Sequence, residues 1–355
     1  MAQATLPLLS GRLGLLLPPM YPVGSPTLGS TASANTGTTF GTTSWVSELA
    51  LGAEIAGAAG VWASDHLFWR RPVPECLTSL AVAAAATRRV AVGACVLQLP
   101  LRSPAVVAKQ AAALQALSGG RFVLGVGSGS HPTEYALAGV SFGTRGALLD
   151  AGISAVRSAW GTAEQPDAYR IDPAGAAPVW VGGTSPAALR RAGRVGDGWV
   201  PLFVGPERFA EGLASVREVA ADAGRSPDAV VPAVVMVATV GDDTARARAA
   251  GTSWLSSLYG LPAKAFDRHL VAGPANHCAA AAAAYVDAGA GHVIVLVAAD
   301  DALGQFRALA AAYDRFAPQA RPPGTRSGHQ ERAGEADPWD ERIAAQSHER
   351  AEVGA

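Results

Sequence analysis

Lysine is nearly missing from this chain. Of its 28 basic residues only Lys109 and Lys264 are lysines, and with the excess of alanine this reads as coding bias, not a physical need. Cysteine is scarce as well. Cys76, Cys95 and Cys278 are odd in number and widely spaced. They form neither a disulfide framework nor a C-x-x-C pair, which points to a reducing cytoplasm. Charge imbalance is absent. A formal net charge of −1 offers no basic field to nucleic acid, and no block of like charges makes an interaction tail. No run of 18 apolar residues occurs, and LGLLLPPM near the start lacks the basic region and length of a signal sequence, so a soluble protein away from membranes is expected.

What the chain has is apolar volume. It is 49% hydrophobic and only 16% charged over 355 residues, enough for a sizeable core and a common length for one (β/α) barrel. Apolar runs and helical patterns alternate. Strands are expected at residues 12–17, 61–64, 90–97, 121–127, 178–183, 198–203, 231–240 and 292–297. Helices are expected at 45–59 (capped by Ser44), 75–87, 104–117, 144–160, 186–195, 206–223 and, more than one, from the seventh strand to about Ala288. The strands are near-continuous Val/Ala/Leu runs, the pattern of parallel strands buried on both faces. Eight such units favour a closed (β/α)8 TIM barrel over an open sheet. Residues 1–317 are assigned to the barrel. Its Gly/Ser/Thr-rich segment at 18–43 is read as an extended loop after strand one, and residues 318–355 as a polar, disordered tail.

In such barrels the chemistry sits where strands end. Four exits carry polar groups: Asp65 and His66 after strand two, Gln98 and Arg102 after strand three, Ser128, His131, Thr133 and Glu134 after strand four, and Gly182, Gly183, Thr184 and Ser185 after strand five. Each alone has a bland reading as a turn, loop wall or helix cap; together they mark one functional rim. GGTSP would let backbone N–H groups and a helix N-terminus face a phosphate. A metal site built from Asp65, His66, His131 and Glu134 is the competing reading. The histidines come singly, without H-x-H or H-E-x-x-H spacing, so no metal is assigned.

The order SDH after strand two, VGACVLQLPLRSPAVVAKQAAALQALSGGRFVLGVGSG, then E-Y, then PVWVGGTSPAALRRAGRVGDGW resembles the bacterial luciferase-like monooxygenase family. It is most similar to the branch that uses the deazaflavin coenzyme F420, and the resemblance covers about residues 12–315. It implies hydride transfer between F420 and a small organic substrate. The alternatives are an FMN-dependent monooxygenase using reduced flavin and oxygen, and a non-catalytic barrel acting as a binding or partner subunit. It further implies that Asp65 and His66 line the ring, with His66 meeting its polar edge or the substrate and Asp65 helping to hold it, both as catalytic candidates, and that the Cys95–Val96 peptide bond is cis beneath the ring. Gln98, Gly127, Ser128 and Gly129 would line the coenzyme, with Thr133 and Glu134 beside it. Val181, Gly182, Gly183 and Thr184 would hold its phosphate. His131 is the candidate proton donor, and Phe68 and Trp69 are read as the substrate wall. A homodimer and a separate reductase complete the expected partners. Two carboxylates found in the family's sugar-phosphate and alcohol dehydrogenases are missing: the first region reads LLLPPM, and Ser130 takes the second place. That argues against sugar-phosphate or simple alcohol oxidation.

Overall fold

The computed structural model describes residues 12–20, 45–161 and 176–316, with Leu9 and Ile171. Most of the expected loop, the Ser44 cap and the expected tail lie outside the described residues.

The strands are β1 (Arg12–Leu16), β2 (Gly60–Ala63), β3 (Ala91–Ala94), β4 (Leu97–Gln98), β5 (Phe122–Gly127), β6 (Val179–Gly182), β7 (Gly198–Val200), β8 (Val231–Val240), β9 (Leu270–Gly273) and β10 (His292–Val297). The helices are α1 (Trp45–Ile55), α2 (Cys76–Ala86), α3 (Pro104–Leu117), α4 (Pro132–Leu137), α5 (Arg145–Ala159), α6 (Pro186–Val195), α7 (Pro206–Asp222), α8 (Thr244–Tyr259), α9 (Ala275–Asp287) and α10 (Ala302–Phe316). Every strand pairing is parallel. The ring closes through β10, which pairs with β1 (Leu15↔Val295) and with β8 (Val295↔Met236). β3 and β4 are two halves of one barrel strand, parted at Cys95–Val96. The result is the expected closed eight-stranded barrel with helices around it.

The helices expected up to about Ala288 are α8 and α9, but the sequence reading missed the strand between them: β9 pairs with the C-terminal half of β8 (Val237↔Leu270 to Val240↔Gly273), outside the ring. Gly260, in the left-handed conformation (φ 66°), ends α8 and turns the chain back. A strand of four residues is too short to show a period of two within a helical surround. The sixth expected strand is also shorter, ending at Val200 with a single bridge from Leu202 to Val235.

The apolar runs are buried on both faces, as closed parallel strands must be. Leu15, Val61, Leu124 and Val181 face the helices. Trp62, Val123, Trp180, Val235 and Ile294 fill the barrel interior. Trp62 and Trp180 stack with centroids 4.9 Å apart, and Trp62 Nε1 donates to His292 Nε2 at 3.1 Å. Gly14, Gly60, Gly93 and Gly198 are small because a side chain at any of them would run into these rings. Two motifs fix the opposite end of the barrel from the rim. Arg121 of the Ser-Gly-Gly-Arg turn donates to the carbonyls of Ala84, Thr87 and Val90, and Glu54 takes the N–H groups of Arg88, Arg89 and Val90.

Candidate active site

The exit of β2 is tied to the exit of β4 by charge. Asp65 is 4% exposed, and both its oxygens are engaged. Arg102 Nη1 and Nη2 each donate to it at 2.7 Å, and the Gln98 N–H donates at 2.8 Å. Burial pushes the Asp65 carboxyl above its usual range, while the Arg102 charge and the Gln98 N–H pull it back. Its carboxylate is engaged inside the wall by three donors, where it holds the two exits together.

His66, the next residue, belongs to a second cluster. Glu134 Oε2 lies 2.9 Å from His66 Nδ1, while Oε1 accepts from the Leu67 N–H (2.8 Å) and the Phe68 N–H (3.1 Å). Gln98 Nε2 donates to Glu134 at 3.2 Å and to the Asp65 carbonyl at 3.0 Å. Burial raises the Glu134 carboxyl, but the His66 hydrogen bond and charge, the Phe68 N–H and the Gln98 amide outweigh it, and the net shift is downward. Glu134 is therefore an anion at neutral pH, and His66 Nδ1 must carry the proton that joins them. The imidazole orientation is set from behind, and among the described residues Nε2 makes no hydrogen bond. Glu134 reaches this place because α4, a short helix not anticipated from the sequence, starts at Pro132 and carries it inward, fully buried.

The Cys95–Val96 peptide bond is cis. Val96 and Cys95 pack on the barrel-interior cluster, and burial raises the Cys95 thiol to about 12, so it packs and does not act as a nucleophile. A side chain at Gly127 would come within 2.6 Å of Val96, and one at Gly182 within 3.0 Å. These glycines clear room for Val96. Val181 likewise buries its side chain on the helix-facing layer, leaving only its backbone near the rim. Ser128 is half-buried, and its carbonyl accepts from the Tyr135 hydroxyl. Gly129 (φ 64°) sits against Gln98 Oε1, where any side chain would collide.

After β6, Gly183 has φ 106°, a backbone that L-residues rarely adopt, and Gly183 and Thr184 are exposed. Ser185 accepts from the Ala188 N–H at 3.2 Å and starts α6. Trp199 Nε1 donates to the Gly183 carbonyl at 2.9 Å, which explains why VGG and GDGW occur as a pair: the second motif pins the first. The remaining N–H groups of this loop and the N-terminus of α6 suit a phosphate.

A flavin or deazaflavin fits what the rim lacks. Buried Gln98 Oε1 and His131 Nδ1 have no hydrogen-bond partner among the described residues. A buried orphan of this kind costs about 1–3 kcal/mol unless a ligand meets it. Thr133 is exposed on the first turn of α4. The four metal candidates do not assemble: no group of three His, Cys, Asp or Glu side chains that could hold a metal occurs among the described residues. Trp69 stacks on His66 with centroids 3.8 Å apart, while Phe68 is exposed. Three aromatic residues near Trp69 escaped the sequence reading, namely Phe203, Tyr259 and Phe266.

Residues 27–259 match the model of the luciferase-like monooxygenase family. A phthiodiolone/phenolphthiodiolone dimycocerosates ketoreductase of Mycobacterium kansasii is 30% identical over 262 residues, 62% of this chain and 71% of the relative. Its counterpart from Mycobacterium tuberculosis H37Rv is 32% identical over 204 residues, 52% of this chain and 53% of the relative. Among solved structures, an F420-dependent secondary alcohol dehydrogenase bound to an F420–acetone adduct superposes with a TM-score of 0.67 at 19% identity, over 75% of this chain and 92% of the other. The FMN-bound oxygenating constituent of 3,6-diketocamphane monooxygenase from Pseudomonas putida gives 0.63 at 19% identity, over 87% and 99%. At these identities the superpositions speak for the barrel. The family match goes further: the chain belongs to the luciferase-like monooxygenase family.

Proposed function

We propose that this protein reduces the carbonyl of an organic substrate with hydride from the deazaflavin F420, or runs the reverse oxidation. The observation that carries the proposal is the His66–Glu134 pair at the mouth, with Nδ1 held and Nε2 turned loose. The ketoreductase name of the M. kansasii relative supports a carbonyl as the reacting group. Bound coenzyme supplies or accepts the hydride. In the reducing direction carbon gains that hydride and oxygen must gain a proton, which His66 Nε2 supplies; in the oxidising direction the same atom takes the proton back. Glu134 keeps the imidazole oriented. Gln98 Oε1 and Gly129 hold the ring edge, and Gly183 to Ser185 hold the phosphate. His131 stands as an alternative donor across Trp69. Reduced coenzyme comes from a separate reductase in the cytoplasm.

FMN also carries a ribityl phosphate, so the phosphate loop serves it equally. Titration decides between them. Micromolar binding of F420, with single-turnover oxidation of its reduced form by an added ketone, is expected. Tight FMN binding with no measurable F420 binding would overturn the coenzyme assignment.

A further inference from the structure

Five rings make an unbroken line across the barrel mouth. His66 stacks on Trp69, and Trp69 meets Tyr259 nearly edge-on at 6.1 Å and 87°. Tyr259 meets Phe203 at 5.7 Å, and Phe203 meets His269 at 5.3 Å. Most of these separations fall in the range where aromatic pairs attract. The rings come from separate pieces of chain: the β2 exit, the β7 exit, the end of α8 and the approach to β9. All five are half-buried, so each keeps some surface open.

Two features show that the line is built. Trp69 Nε1 donates to the Leu258 carbonyl at 2.9 Å, which uses up its polar handle and sets the ring against α8. Phe203 has φ 60° and is the one non-glycine among the described residues in left-handed backbone. A glycine would adopt it freely, whereas a bulky side chain holds it at a cost. What the phenylalanine gains is the aim of its ring, which lands against Tyr259, Phe266 and His269. The line is also neutral in its middle. Burial raises the Tyr259 hydroxyl to about 12, and burial and then the Arg268 charge lower His269. Arg70 packs on Gly260 at the outer edge.

We infer that Trp69, Tyr259 and Phe203 are the specificity wall of the mouth, and that they select a carbonyl carried on a planar, π-rich body over short aliphatic ketones and sugar phosphates. The inference rests on the proposed function for the reacting group, but the wall can be read without turnover. Quenching of tryptophan emission by 2-acetylnaphthalene gives binding directly. The wild type should bind it at least tenfold more tightly than acetone or glucose 6-phosphate, measured by competition. Tyr259→Ala and Phe203→Gly should each weaken it about tenfold, the scale of one lost aromatic contact. Phe203→Gly keeps the left-handed backbone, so its fold is safe. Tyr259→Phe should retain the affinity, because the face and not the hydroxyl is used. With reduced F420 as donor, the kcat/KM ratio of 2-acetylnaphthalene to acetone should fall about tenfold in the two truncations, mainly through KM. A merely structural role would lower both substrates together and leave the ratio alone. Unchanged quenching affinity in both truncations, or a wild-type preference for acetone or glucose 6-phosphate, overturns the inference. Binding that follows these expectations without turnover of any ketone leaves the wall standing and sinks the hydride proposal instead.

Discussion

The floor of the barrel and its rim are built by different rules from the same strands. The floor is a shape problem. Trp62 and Trp180 stack at 4.9 Å inside a collar of glycines, and Trp62 donates to His292 there. The rim is a problem of satisfying charges. Asp65, Arg102, Gln98, Glu134 and His66 form a connected polar network three strands wide, and it leaves Gln98 Oε1 without a partner. A floor can be complete in the free protein because dispersion and burial need no second party. A rim that awaits a ligand keeps loose ends, and the loose ends locate the ligand.

The sharpest break in this comparison is a floor truncation. Trp62→Ala should cost about 4 kcal/mol of stability, the scale for an aromatic removed from a packed core. Urea unfolding reads it, and a loss under 1 kcal/mol would mean the floor is not close-packed. Next in size is Asp65→Asn. It leaves the Arg102 guanidinium, only 12% exposed, with Glu75 at 3.7 Å as its nearest anion. About 3 kcal/mol should be lost, as when one member of a buried pair is removed. Coenzyme affinity should follow only through misplacement of Gln98. An unaltered melting curve would show that the pair is idle.

His66→Ala divides the regions in the other direction. Turnover should fall about 10²-fold or more, while stability falls by only about 1–2 kcal/mol, because buried Glu134 loses one partner but keeps the Leu67, Phe68 and Gln98 N–H donors. Near wild-type turnover would reduce His66 to a loop filler. Gly183→Val should weaken coenzyme binding about tenfold, or ~1.4 kcal/mol. A valine there must take φ 106° and crowd Ala188, whose Cβ lies 3.1 Å from where the new Cβ would sit. Full affinity in a folded variant removes this loop from the phosphate site.

The barrel was legible in the sequence because strands buried on both faces must be apolar without interruption, and eight such runs have few ways to close. The rim could be located by the rule that polar exits share one face. Roles within it were harder to read. Asp65 and Glu134 are both acids at exits, and spacing cannot tell which one meets an arginine and which a histidine. Gly127 and Gly182 also pack against Val96, a neighbour that a glycine in the sequence cannot name. Tyr259 and Phe203 went unseen for a different reason. They meet across 56 residues of chain, one just after β7 and the other at the end of α8, and a contact made only by tertiary folding leaves no local period.

The smallest effect sharpens the comparison by pH. The Glu134 carboxyl sits below the usual glutamate value of about 4.3 because His66 and three N–H donors favour its charged form over the penalty of burial. A carboxylate with a depressed folded value gives stability that is fully present above the unfolded value and is lost as pH falls through the folded one. The stability gap between wild type and Glu134→Gln should therefore be flat from pH 7 to about 5. It should close progressively below about 4.3, as the wild-type carboxyl takes up its proton. Ile294→Val, on the interior layer, removes one buried methylene with no charge, so its gap should stay flat down to the same pH. Urea midpoints at half-unit pH steps compare the two. If the Glu134→Gln gap stays flat into the acid range, Glu134 is held by packing like a floor residue, and the distinction between the two regions fails at the one acid on which the orientation of His66 depends.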